Sequence, residues 1–422
     1  MKWKCLFLSF LCACLLNVSC ATANTTQAPQ SATQAVVQTP QAAPVQQTAP
    51  AAPASQAAPE VAPAAPQQAA PYKAPALTSE DSWTMVVVPD VQAYVERPRN
   101  HGIVELMNGW IVDNIIPLNI QQVLFTGDLV YRNDQTNPVP LSHPDTKESA
   151  GIYSGLNSLC GREQWKAFSR LMERLDGQVP YVLCTGNHDY GNYSAENRNT
   201  YFNDFFPSDR NPLTRRQLIA CGYNAFHRTS MENAIFEFKA PAPDNRKFLI
   251  ITLQFAPTDQ DLAWAKKIVD QPRFKNHIGI VLTHSYLSRT GTRIQQEKYA
   301  LSKEGGNPGE GIFQKLVYPA NNIRLVICGH IAKPDLWEAG VSFSMDKNAA
   351  GKSVAQMAFN TQAITGWHGN GGDGWLRLLE FMPDKKTIKS TTFSPLFAIS
   401  PSTRHLAWRH EPLNEFTFTL EE

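Results

Sequence analysis

The chain has 422 residues, and 38 Lys and Arg against 37 Asp and Glu give a formal net charge of +1. Near-neutrality excludes a strongly basic nucleic-acid binder and a strongly acidic solvating protein. After residue 20 no apolar run approaches the roughly 20 residues that span a bilayer, which excludes a multi-pass membrane protein.

The N-terminus reads as an address. Lys2 and Lys4 precede an apolar run from Cys5 to Leu16, and a polar stretch then ends in Ala21-Thr22-Ala23. This order is that of a secretory signal peptide cleaved after Ala23, so residues 1–23 are expected to direct export to a periplasmic or extracellular site. Lipoprotein processing is an open alternative, which would make the protein membrane-anchored through an N-terminal lipid. Asn17-Val18-Ser19-Cys20 has the small residue and the cysteine such a site needs, and Leu11-Cys12-Ala13-Cys14 fits better locally but leaves a very short apolar core. Residues 24–76 follow, with Ala, Pro and Gln at 38 of 53 positions and only Glu60 and Lys73 charged. Such a stretch buries too little apolar surface to offset its ordering entropy, and a disordered linker is expected. The remaining 346 residues, 77–422, carry a net charge of −1 once Lys2, Lys4, Lys73 and Glu60 are set aside. They suffice for one large α/β domain or two smaller ones.

Five apolar runs in this part each end in polar residues. Met85 to Val88 leads into Pro89-Asp90-Val91-Gln92, and Val123 to Phe125 into Thr126-Gly127-Asp128. Tyr181 to Cys184 leads into Thr185-Gly186-Asn187-His188-Asp189, Ile278 to Leu282 into Thr283-His284-Ser285, and Ile323 to Cys328 into Gly329-His330. Short runs apolar on both faces predict strands buried between layers. Helical patterns over 101–115, 163–176, 259–270 and about 310–318 separate them. Thr258 and Asp261 read as a capping box opening the third of these helices. Residues 374–393 and 416–420 read as strands with no helix between them, so a more antiparallel sheet is expected there. Of the four cysteines beyond the signal, Cys184 and Cys328 sit in strand-like runs, whereas Cys160 and Cys221 lie in loop-like surroundings and form the favoured disulfide pair.

In open α/β sheets the site lies outside the carboxyl ends of the strands, which is where all five polar clusters fall. They offer oxygen and nitrogen donors without thiolate, which suits a divalent Mn, Fe, Zn or Mg ion. Taken singly each cluster has a plain structural explanation, as a helix cap, a turn or a hydrogen-bonded histidine. The ordered recurrence of all five is the signal.

The order Asp90-x-Gln92, Gly127-Asp128, Gly186-Asn187-His188-Asp189, His284, Gly329-His330 resembles the calcineurin-like metallophosphoesterase family, in the branch that opens with Pro-Asp-x-Gln. The similarity extends over about residues 84–420 and includes Thr283 to Leu287, Gly291-Thr292-Arg293 and Gly374 to Phe381. The resemblance implies a four-layer α/β/β/α sandwich holding one or two divalent metal ions, and a hydrolase acting on phosphate esters. It implies one metal on Asp128, Asn187, His284 and His330, and a second on Asp90, Gln92 and the shared Asp128. Where the family has a further histidine this chain has Ala332, which weakens the second position; His368 is a candidate replacement. His188 would face the substrate, with Asp189 orienting its ring. Tyr286 and Arg293 are candidates for substrate contact, Arg293 because a guanidinium matches phosphate bidentately.

The glycine-rich segment 366–374 reads as a loop near the metal mouth or as a plain turn. The connections 132–162 and 190–234 are expected to shape the substrate entrance. The leading expectation is a small phosphate ester as substrate, with no nucleic-acid partner. The rival is a surface binding protein on the same fold with one metal and impaired catalysis, motivated by Gln92 and Ala332. A carbohydrate-binding module ranks below both, because several of the nine tryptophans fall at core spacing.

Overall fold

The computed structural model describes residues 72–136, 159–224, 228–367 and 369–420. The signal segment, the linker up to residue 71, the middle of the connection after Asp128 and His368 lie outside the described residues. No helix among the described residues is long and apolar enough to cross a membrane.

Fourteen strands are found among the described residues. In chain order these are β1 (Trp83–Val88), β2 (Ile120–Phe125), β3 (Tyr181–Leu183), β4 (Leu218–Tyr223), β5 (Thr229–Lys239), β6 (Lys247–Thr252) and β7 (Ile278–Leu282). They continue as β8 (Ile323–Cys328), β9 (Val341–Lys347), β10 (Ser353–Phe359), β11 (Leu376–Phe381), β12 (Thr387–Phe393), β13 (Trp408–Arg409) and β14 (Phe416–Thr419). The first sheet has the order β13-β12-β11-β1-β2-β3, with β14 also on β12; the second has the order β4-β5-β6-β7-β8-β10-β9. Both are mixed. β1, β2 and β3 run parallel in the first sheet, as do β6, β7, β8 and β10 in the second. The C-terminal strands β11, β12 and β14 pair antiparallel, as expected.

Alternating side chains sort the strands into layers. Met85, Val87 and Leu124 of the first sheet meet Phe248, Ile280 and Leu325 of the second in a core between the sheets. Their neighbours Val86, Val88, Val123 and Phe125 face the other way. They pack on Val104, Met107 and Ile111 of the helix His101–Asp113 and on Trp165, Phe168 and Leu171 of the helix Gly161–Met172. On the far side, Leu249, Ile251 and Val281 of the second sheet cover Leu262, Ala265 and Val269 of the helix Asp259–Val269. Thr258 and Asp261 form the expected capping box on that helix. This is the four-layer α/β/β/α sandwich. Each central strand is apolar on both faces because it is covered on both.

Several expectations change. The segment 190–234 is not one long loop: it contains the helix Pro212–Gln217, all of β4 and the start of β5. All four described cysteines are free, so the Cys160–Cys221 pair does not form. Cys160 caps the helix Gly161–Met172, and Cys221 lies in β4 with its sulfur against Met231 Sδ. The stretch read as linker is already seated at its end, where Trp408 Nε1 donates to the Lys73 carbonyl at 2.8 Å. The glycine-rich segment is pinned: Asn370 Oδ1 accepts from the backbone of Gly372 and Asp373, and Gly374 N donates to Tyr94 Oη at 2.8 Å.

Candidate metal centre

The turns after five parallel strands converge at one end of the sandwich. β1 delivers Asp90 and β2 delivers Asp128. β3 delivers Asn187 and His188, β7 delivers His284, and β8 delivers His330. Asp128 (φ 48°) and His330 (φ 71°) both adopt the left-handed conformation that non-glycine residues avoid. Strain of this kind concentrates at functional sites. The glycines beside them are set by contact. A methyl group on Gly186 would overlap the Asp128 carboxylate, and one on Gly329 would overlap that of Asp90.

The polar atoms face inward. His284 Nε2 lies 3.1 Å from Asn187 Oδ1, 3.3 Å from Asp128 Oδ1 and 3.1 Å from His330 Nδ1. The other nitrogen of each imidazole is committed. His284 Nδ1 is 2.8 Å from the Thr126 carbonyl, and His330 Nε2 is 3.2 Å from Glu297 Oε1. Both partners can only accept, so in the neutral rings those nitrogens carry the hydrogens, and the two facing nitrogens present lone pairs to each other. Donors sharing a cation at bond lengths of about 2.1 Å stand about 3.0–3.4 Å apart, depending on geometry. The three contacts of His284 Nε2 fit that spacing. Asp90 joins them: ligand atoms of Asp90, Asp128 and His284 lie within 4.8 Å of one another.

Electrostatics agree with a cation-shaped gap. Burial pushes the Asp90 pKa up to about 7, with Asp128 adding to the rise. Burial alone would lower that of His284, but Asp128 and Asp90 overcome it and push it up to about 10. Asp128 is buried too, yet His284 and His188 hold its carboxyl well below the usual range. Without a metal the site therefore recruits a proton onto His284, into the place where a cation would neutralise both carboxylates.

Asp90 also accepts from Thr126 Oγ1 (2.9 Å), the His330 backbone N–H (3.1 Å) and Asn360 Nδ2 (2.6 Å). Gln92 lies beside Asp128, but its Nε2 donates to Asp128 Oδ2 at 2.9 Å, while its buried Oε1 has no partner. That orphaned oxygen is the donor a second cation would find, after the amide turns over. Ala332 contributes no donor.

The other expected residues divide. His188 sits at the edge, its backbone N–H donating to Asp128 Oδ1 at 3.0 Å and its ring stacked on Tyr131. Its Nδ1 is held by the Tyr131 carbonyl at 2.9 Å. Burial lowers its pKa despite Asp128, and Arg132 adds to the lowering. Asp189 does not reach this ring. Its carboxylate accepts from the backbone N–H groups of Leu129 (2.8 Å), Val130 (3.0 Å) and Gly186 (2.7 Å), which fixes the turns carrying Asp128 and Asn187. Tyr286 is fully buried away from the donors, with its hydroxyl on Gln356 Oε1. Arg293 is held by Glu310 (2.5 Å) and Asp346 (2.6 Å) over the ring of Phe313, so it is not a free phosphate fork.

Three residues enter that sequence reasoning missed. Glu297 reaches His330 from an irregular stretch, and Ser285 Oγ donates to it. Asn360 reaches Asp90 from the end of β10. Arg132 follows Asp128 by four residues. Its guanidinium stacks 3.4 Å over Tyr193, and its buried Nε and one terminal nitrogen have no hydrogen-bond partner. A buried cation with unspent donors beside His188 is suited to an anionic substrate. Its position four residues after Asp128, in the turn leaving β2, was the available signal.

The uncharacterized protein YvnB of Bacillus subtilis (strain 168) is 27% identical over 326 residues, which cover 75% of this chain and 20% of that protein. The chain thus spans about a fifth of the length of this curated relative. Among solved structures, a dimetal phosphatase from Danio rerio aligns over 80% of this chain and 99% of its own, with 12% identity and a TM-score of 0.42. The purple acid phosphatase PPD1 from yellow lupin (Lupinus luteus) seeds aligns over 76% and 53%, with 12% identity and a TM-score of 0.39. The sequence model described as calcineurin-like phosphoesterase matches residues 86–334, and with more than half of its length inside that match the chain belongs to this family.

Proposed function

We propose that the protein is an exported metal-dependent phosphoesterase that hydrolyses a small phosphomonoester or phosphodiester with water. The observation that carries this reading is the 3.1 Å approach of His284 Nε2 to His330 Nδ1, with Asn187 and Asp128 oxygens beside them. Asp128, Asn187, His284 and His330 would hold one divalent ion, and Asp90, Gln92 and Asp128 a second. Ions bound there supply a polarised phosphoryl oxygen and an acidified water. Arg132 receives the phosphate oxygens with its unspent guanidinium donors. His188 is fixed through Nδ1, which leaves Nε2 as the atom that exchanges a proton with the leaving oxygen. Burial keeps the ring neutral until the negative charge of a phosphate arrives beside it. Export rests on the N-terminal signal pattern, and lipid anchoring through the nearby cysteines is compatible with it.

The test is hydrolysis of a panel of generic monoesters and diesters by the folded protein with added Mn, Fe, Zn or Mg. Absence of turnover with every metal would sink the proposal. One observation favours the second reading, a binding protein with a single metal: Gln92 points an amide N–H at the oxygen of Asp128 that a second cation would need. Elemental analysis separates the two. Two metals per chain, with one lost in Asn187→Ala and one in Asp90→Ala, supports the binuclear enzyme; one metal insensitive to Asp90→Ala supports the binding protein.

A further inference from the structure

We propose that Tyr299 is a substrate-contacting residue of the metal centre, its hydroxyl donating a hydrogen bond to a phosphoryl oxygen. This rests on the reading of the centre as a phosphoesterase site, and adds to it a group that lies outside every motif of the sequence. Tyr299 stands on the His330 side of the centre. Its ring is edge-on to His330, with centroids 5.9 Å apart, and edge-on to Phe255 at 5.3 Å. Phe255 is in turn edge-on to His284 at 6.2 Å. A phenylalanine would make these ring contacts equally well. The hydroxyl is the part that packing leaves unexplained.

A directed chain of donors leads from a metal ligand to that hydroxyl. Asn187 turns Oδ1 toward His284 Nε2 and donates through Nδ2 to Ser194 Oγ at 2.8 Å. A serine hydroxyl that accepts there still has its own hydrogen to give. Tyr299 lies beside it, and the bond from Ser194 works to lower the tyrosine pKa, which is the effect of a donor on a phenol oxygen. With its oxygen served by Ser194, Tyr299 points its own hydrogen onward. The nearby carboxylates do not take it. Asp128 Oδ1 receives the His188 backbone N–H and Oδ2 the Gln92 amide, while Glu297 is held between Ser285 and His330.

The hydroxyl is open and stays protonated. Tyr299 is half-buried, and its oxygen is not sealed in. Burial, Asp128 and Glu297 all push its pKa up, so the group acts as a neutral donor and no proton changes hands in the contact. An unspent donor beside the ligand set is suited to an oxygen that arrives with the substrate. Its place is fixed beforehand. The Leu301 N–H donates to the Ala195 carbonyl at 3.2 Å, and the Glu196 carboxylate accepts from the N–H groups of Tyr193 and Ser194. Arg198 spans the carbonyls of Phe255 and Ala256. These bonds hold Ser194, Tyr299 and Phe255 in place, so the donor need not reorganise when substrate binds.

The experiment titrates the Mn-loaded full chain with inorganic phosphate by calorimetry, comparing wild type, Tyr299→Phe and Ser194→Ala. Mn affinity is read in parallel by competition with a chelator. Tyr299→Phe should bind phosphate about tenfold more weakly, with Mn affinity and circular dichroism unchanged. Ser194→Ala should weaken both phosphate and Mn binding, because the Asn187 amide loses its anchor. Equal phosphate binding by wild type and Tyr299→Phe, or a loss of Mn affinity in Tyr299→Phe, would overturn the proposal. If wild type hydrolyses a phosphate ester and Tyr299→Phe does so with unchanged kcat/KM, the proposal fails and the enzyme reading stands. If wild type hydrolyses nothing with any metal, the enzyme reading fails, and the phosphate titration still decides the part of Tyr299.

Discussion

His330 Nε2 stands 3.2 Å from Glu297 Oε1, and this contact decides which nitrogen of His330 is left for a metal. Burial works against the Glu297 carboxylate, but His330 and Ser285 hold its pKa below the usual value, so it remains an acceptor. Removing such a supporting carboxylate commonly weakens a metal site about 10–100-fold. Glu297→Gln is therefore expected to keep the fold and lose metal affinity by that factor, read by competition with a fluorescent chelator.

Metal uptake is expected to release protons. The metal-free site holds a proton on His284 up to about pH 10 and on Asp90 up to about pH 7. The unfolded values are about 6.5 and 3.9, so at these two groups the folded metal-free chain binds more protons than the unfolded one. For these two groups its stability then falls as pH rises between about 4 and 10. A bound cation reverses the sign, because protons compete with it for the same atoms. Urea midpoints of EDTA-treated and Mn-loaded protein, compared at about pH 6 and pH 9, should move in opposite directions.

Arg132 should act on substrate and not on metal. Arg132→Lys keeps the charge but loses the planar fork that stacks on Tyr193. The expected outcome is a KM raised about tenfold or more, with metal content unchanged by elemental analysis.

Asp189 should behave as a structural residue. Asp189→Ala strands three buried backbone N–H groups, at roughly 1–3 kcal/mol each. A fall in stability of about 3 kcal/mol or more is expected from denaturant unfolding. Full stability with loss of turnover would instead point to a direct part in the reaction.

The central strands and the order of their polar ends were legible because both follow from one pattern, apolar runs that stop at a chemical group. The strands β4, β5, β6, β9 and β10 escaped because no recognisable motif closes them, even though Asn360 at the end of β10 does reach Asp90. Tyr286 and Arg293 were misread for a related reason. They follow His284 closely in sequence, but the chain turns away after Ser285 and sends Tyr286 into the core against the helix side. Glu297 and Asn360 lie 13 and 30 residues beyond the nearest histidine ligand in sequence, in segments with no motif. Only the folded chain brings them to the centre. Asp189 belongs to a recognisable motif, yet motif membership did not tell its structural part from a chemical one; its three backbone donors do.

The donors come from both sheets. Asp90, Asp128 and Asn187 stand on the first, His284 and His330 on the second, and neither sheet alone supplies a full set. An ion held by all of them is a rivet through the sandwich. Trp83 lies in the layer it clamps, stacked on Phe381 and edge-on to Phe248. Metal release and the change in Trp83 fluorescence should then share one rate constant. That rate would report how often the two halves part, and not how tightly the individual side chains grip the ion.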